Sequence, residues 1–137
     1  MTYNRNKPVP EQQQSAFDAL GGEEVLSRLV DTFYQHISSH EEVRHLFPAD
    51  LTETAAKQKK FLTQFLGGPP LYTETFGHPR LRARHMPFII TPVQAEAWLS
   101  CMAHAMDDIG LSGPLREHMM HRFTLTAHHM INHPTPR

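Results

Sequence analysis

Residues 59–88 read KKFLTQFLGGPPLYTETFGHPRLRARHMPF. Phe61, Leu62, Phe65 and Leu66 recur at helical spacing and then meet Gly67-Gly68-Pro69-Pro70, a run that stops a helix abruptly. The residues after it are rich in Gly, Pro and Thr, and an irregular connection of that length inside a small domain usually serves a site. An ordered loop is therefore expected at 67–80, followed by a short helix over Arg80–His85 that Pro87 breaks.

The same punctuation organises the rest of the chain. Gly21-Gly22 opens a helix at about 22–38, with Glu23 and Glu24 suited to the dipole of its first turn and Leu26, Val30, Phe33 and Ile37 on one stripe. A shorter helix near 15–20 precedes it, and a turn at about 41–46 leads to Phe47-Pro48. Thr52 is the expected N-cap of the helix that runs to about 66. Thr91-Pro92-Val93-Gln94 combines an N-cap, a proline at the first helical position and a capping-box glutamine, and Gly110 ends the helix it launches. Pro114 opens a last helix to about 131. With no strand-like alternation and no internal repeat, the pattern is all-α, with five to seven helices.

A length of 137 residues suits one domain, expected over 15–132 between a polar, proline-bearing tail at 1–14 and a C-terminal tail at 133–137. Lys and Arg number 13 against 14 acidic residues, so a net charge of -1 gives no field that would draw nucleic acid or an anionic membrane. The opening MTYNRNKPVPEQQQ has no apolar stretch of the secretory kind and no run of roughly 18 apolar residues occurs, so no leader and a cytoplasmic location are expected. Cys101 is the single cysteine and has no intrachain disulfide partner.

The 11 histidines raise the question of metal. His36 with His40, His129 with His133, and His118 with His121 have chelating spacing, but none has an H-E-x-x-H core or a nearby cysteine, and solvated imidazoles are the simpler reading. His85 differs. It ends a short helix between Arg82, Arg84 and Pro87, beside the apolar Leu81, Met86 and Phe88, which suits an axial haem ligand with cations near the propionates. The alternative is a solvated arginine strip around an ordinary half-buried histidine. Tyr34 and Trp98 lie on or beside apolar stripes and offer a phenol and an indole N–H to a shared cavity, or else serve as core packing. Thr54 and Gln58 share a face with Phe61, Leu62 and Phe65, either toward that cavity or as the wet end of an amphipathic helix.

In order and spacing, Gly21-Gly22, Phe47-Pro48, KKFLTQFLGGPPLYT at 59–73, GHPRLRARHMPF at 77–88 and AEAWLSCM at 95–102 resemble the truncated haemoglobins of the second group, over about residues 16–131. The resemblance implies a two-over-two helical sandwich around haem b, with His85 as the proximal ligand to iron. It further implies Tyr34 and Trp98 as distal donors, Thr54 and Gln58 at positions facing the iron, and Phe47 packed on the porphyrin. Lys57, Tyr72 and Arg84 match propionate partners, and Phe61, Leu81 and Met86 match apolar haem contacts. Some relatives carry tyrosine where Phe47 stands, so the distal hydrogen bonding here is expected to rest on Tyr34 and Trp98. With no C-x-x-C-H motif, the haem is expected to be held without thioether bonds.

Three functions remain open to the sequence. One is a globin that binds dioxygen or another diatomic ligand tightly, as a monomer or homodimer. Another is a haem enzyme with peroxidase or nitric oxide dioxygenase activity, acting on peroxide or nitric oxide and kept reduced by an unidentified reductase. The last is a haem-free helical interaction module.

Overall fold

The fold is given by a computed structural model that describes residues 14–133. Seven α-helices follow one another, with no strand among the described residues: α1 (Ala16–Leu20), α2 (Gly22–Ser38), α3 (Thr52–Phe65), α4 (Leu71–Phe76), α5 (Leu81–His85), α6 (Pro92–Asp108) and α7 (Pro114–Met130). A single 3-10 turn, Arg44–Leu46, lies between α2 and α3. The expected tails fall almost wholly outside the described residues.

Helix α2 buries Leu26, Leu29, Val30, Phe33, Tyr34 and Ile37, a stripe at three- and four-residue steps that presents one face to the interior. It packs on α3 and crosses α6, and α6 in turn packs on α7. These four long helices are the two layers of the sandwich. Phe33, Met102, Met106 and Met119 are fully buried where the layers meet. Burying each such side chain contributes about 1.5–3 kcal/mol. The short helices α4 and α5 lie on the outside of this frame, and α5 buries none of its residues.

Helix α6 starts as its sequence predicts: the Thr91 hydroxyl accepts from Val93 N–H, and Gln94 reaches back to Thr91 N–H at 2.8 Å. Two local expectations are corrected. Thr52 is the first residue of α3 rather than its cap; the cap position is Leu51, and Asp50 accepts from Thr52 N–H at 2.9 Å. That bond holds the Asp50 carboxyl below the usual carboxylate range. The expected loop at 67–80 contains α4, which is too short for its periodicity to be read. Gln64 holds it from outside, donating to the Thr73 hydroxyl at 2.7 Å and accepting from Thr73 N–H at 3.0 Å.

Candidate functional site

A cavity of about 410 Å³ lies between the two layers, lined by residues of every helix except α1 and by the turn before α3. Its walls are mostly apolar and aromatic. Phe33 stands against Tyr34 and Trp98, with ring centroids 5.0 Å apart in each pair, and Tyr34 meets Phe47 edge-on at 5.8 Å. On the far side Phe65 stacks on Phe123 at 5.6 Å, and Phe123 meets Trp98 at 5.7 Å. Rings held in this way leave a slot whose width the frame fixes.

Three polar features break the apolar lining. His85 is half-buried at the end of α5, and its Nδ1–H donates to the carbonyl of Leu81, one turn earlier, at 2.6 Å. That bond selects the tautomer and leaves Nε2 with a free lone pair, the form in which imidazole ligates a metal. Tyr34 is 6% exposed, and burial alone pushes its phenol well above the usual tyrosine range. No sealed side-chain polar atom lacks a partner among the described residues, so the Tyr34 hydroxyl, which gains no hydrogen-bond stabilisation from protein, opens to the cavity. Thr54 and Gln58, one turn apart on α3, complete the polar edge.

Cations guard the mouth. Lys57 Nζ lies 5.8 Å from the centre of the Tyr72 ring and 4.9 Å from that of Phe76, and the Arg84 guanidinium lies 5.6 Å from the centre of the Tyr72 ring. Tyr72 itself is buried in the wall. The geometry therefore matches a flat apolar group with an anionic edge: a slot of aromatic rings, an imidazole with a free nitrogen, and positive charge at the rim.

The bacterial-like globin family model matches residues 15–132. The chain belongs to this family, among the group II truncated haemoglobins. It is 64% identical over 111 residues to the group 2 truncated hemoglobin YjbI of Bacillus subtilis, covering 81% of this chain and 84% of that relative. The two-on-two hemoglobin-3 of Arabidopsis thaliana is 35% identical over 123 residues, with 87% and 70% covered. The crystal structure of the group II truncated hemoglobin from Bacillus anthracis superposes with a TM-score of 0.89 at 57% identity, covering 94% of this chain and 97% of that one. The truncated oxygen-avid haemoglobin from Bacillus subtilis superposes at 0.84 and 60% identity, with 87% and 100% covered.

Membership of this globin family implies haem and a small diatomic ligand. Of the residues singled out in the sequence, Tyr34, Phe47, Thr54, Lys57, Gln58, Phe61, Tyr72, Leu81, Arg84, His85 and Trp98 all line the cavity. Met86 stands apart: it is 55% exposed and outside the lining. Leu81, Arg84 and His85 share one face of α5, whereas Met86, just past its end, is turned about 100° from His85; Phe88, beyond Pro87, also lines the cavity.

The sequence reading missed the wall that α7 supplies. Phe123, Ala127 and Met130 line the cavity at steps of four and three. That stripe was present as a pattern, but the histidines and arginines interleaved with it blur its edge. Two of the other histidines pair with carboxylates: His36 Nε2 lies 2.6 Å from Asp108, and His128 Nε2 lies 2.9 Å from Glu96. Among the described residues no three His, Cys, Asp or Glu side chains gather to hold a metal ion, and no helix is long and apolar enough to cross a membrane.

Proposed function

We propose that this globin holds haem b without covalent attachment and binds dioxygen tightly, with retention rather than delivery as the outcome. The haem iron supplies the coordination site for the diatomic ligand. His85 Nε2 would be the nitrogen that holds the haem iron, with the ring fixed by the bond from Nδ1 to the Leu81 carbonyl. Lys57, Tyr72 and Arg84 answer the propionates at the mouth, while Phe47, Phe61 and Leu81 pack against the porphyrin.

The observation that carries this reading is the Tyr34 hydroxyl, a donor gaining no protein hydrogen bond, opening into the cavity that His85 also lines. Its proton stays on because burial disfavours the phenolate. With the Trp98 indole it would offer a hydrogen-bond donor to a dioxygen ligand held in the cavity. Each such bond contributes about 1.5–3 kcal/mol, or roughly ten- to a hundredfold in ligand release.

The lining also favours a binder over a peroxidase. Among the described residues it contains no carboxylate and no imidazole besides that of His85, so these residues offer no distal general base to take a proton from peroxide. Nitric oxide chemistry needs no such base, but its turnover requires an electron donor from outside the chain.

The test is direct. The purified protein is expected to show a Soret band that His85→Gly loses, and oxygen dissociation followed by stopped flow is expected to speed at least about tenfold in Tyr34→Phe and in Trp98→Phe. Release rates unchanged in both distal variants would overturn the donor roles. A wild-type chain that takes up no haem would leave the haem-free interaction module.

A further inference from the structure

We propose that Asn132, two residues beyond the end of α7, is a positioning residue for His85, pinning the main chain of the axial histidine and thereby aiming its imidazole. The inference rests on His85 being the axial ligand.

Helix α5 cannot hold its own orientation. It has five residues, none buried; Arg80 enters it in the left-handed region at φ 47°, and Pro87 follows within two residues of its end. The restraint comes from 47 residues away. Asn132 Nδ2 donates to the His85 carbonyl at 3.3 Å and to the Phe88 carbonyl at 2.8 Å. Asn132 Oδ1 accepts from Ile90 N–H at 2.9 Å, and the main-chain N–H groups of Asn132 and His133 both donate to the Ile90 carbonyl, at 2.9 and 3.1 Å.

A primary amide carries two N–H donors and one carbonyl acceptor in a plane; here both donors go to residues 85–90, and the acceptor takes the Ile90 N–H together with the His133 Nδ1–H at 2.7 Å. The Ile90 N–H fixes which end of the amide is oxygen, since that end must accept. Carboxylate, hydroxyl or methyl could not replace the set. Arg82 adds a second tie, donating from α5 to the carbonyls of His129 and Ile131 at the end of α7. The line of restraint then runs from the end of α7 through the His85 carbonyl to α5, and from the Leu81 carbonyl to the imidazole Nδ1. Partners one step removed from a metal ligand typically change affinity by about 10- to 100-fold when lost.

The full-length haem-loaded chain is compared with Asn132→Ala, Asn132→Asp and Asn132→Ser. Arg116→Ala serves as the control, because Arg116 ties Asp107 to the loop before α7 and does not line the cavity. The readouts are the iron–histidine stretching band of the reduced protein, haem transfer to excess apomyoglobin, and amide exchange at Ile90. Expected in the alanine and aspartate variants are a shifted or broadened band, haem transfer at least about tenfold faster, and faster Ile90 exchange. The control should show none of these at matched thermal stability. Asn132→Ser keeps one donor and is expected to fall between; it decides the matter if the alanine variant does not fold.

An unmoved band and unmoved transfer rate, despite faster Ile90 exchange, would make Asn132 a structural tie only. Changes no larger than those of Arg116→Ala would overturn the proposal equally. A wild-type protein without a histidine band would remove the axial assignment itself, an outcome distinct from either.

Discussion

Tyr34 combines two properties that seldom coexist: it is almost wholly buried, yet its hydroxyl has no hydrogen-bond partner among the described residues. Burial raises the pKa of the phenol, so in alkaline solution the unfolded chain gives up this proton while the folded chain keeps it. With more protons bound in the folded state, stability falls as pH rises. The contribution is fully present below the ordinary tyrosine value of about 10 and is lost above it. Urea midpoints of the wild type are expected to drop between about pH 9.5 and 11, and the drop should be smaller in Tyr34→Phe. Equal slopes for the two proteins would show that the phenol is not shielded as the geometry requires.

At the scale of elements, the decisive feature is how α3 ends. Gly67 N–H donates to the Gln64 carbonyl and Gly68 N–H to that of Thr63, with Gly67 at φ +92°, a helix terminus that needs a left-handed residue. Gly68 has a different reason to lack a side chain. A Cβ there would lie 2.8 Å from the Phe17 ring and 2.9 Å from the Thr63 carbonyl oxygen, which is backbone and cannot swing aside. The close approach brings α1 onto the end of α3, where Phe17 N–H donates to the Leu66 carbonyl at 2.9 Å. Gly68→Ala is expected to cost about 1–3 kcal/mol in chemical denaturation, as overpacking does. A cost below about 0.5 kcal/mol would mean that α1 yields freely.

Across the whole molecule, the frame and the site are built to different standards of rigidity. The fully buried side chains sit on α2, α3, α6 and α7 and beside them, whereas α5, which carries His85, the proposed iron ligand, buries nothing. A group that fills the cavity binds only the folded chain and stabilises it, by about 4 kcal/mol at a thousandfold excess over its dissociation constant. Haem removal is therefore expected to lower the melting temperature. It should also speed amide exchange over α4, α5 and the 85–90 loop, while the buried parts of α2, α6 and α7 stay protected. Uniform loss of protection across all seven helices would show that cavity and frame unfold as one unit.

Much of this was legible in the sequence because it depends on neighbours in the chain. Helix periodicity, the Thr91–Gln94 capping box, the Gly67-Gly68-Pro69-Pro70 stop and the resemblance carried by five short motifs were enough for an all-α truncated globin and for eleven of the residues that line its cavity. The tertiary structure alone decided what distant segments settle between them. Gln64 reaches across to hold Thr73 in α4, and the path of the chain after α5 brings Phe88 rather than Met86 to the cavity wall. The hold of Asn132 on the His85 carbonyl spans 47 residues, and a hydrogen bond between groups that far apart leaves no periodicity for a sequence to display.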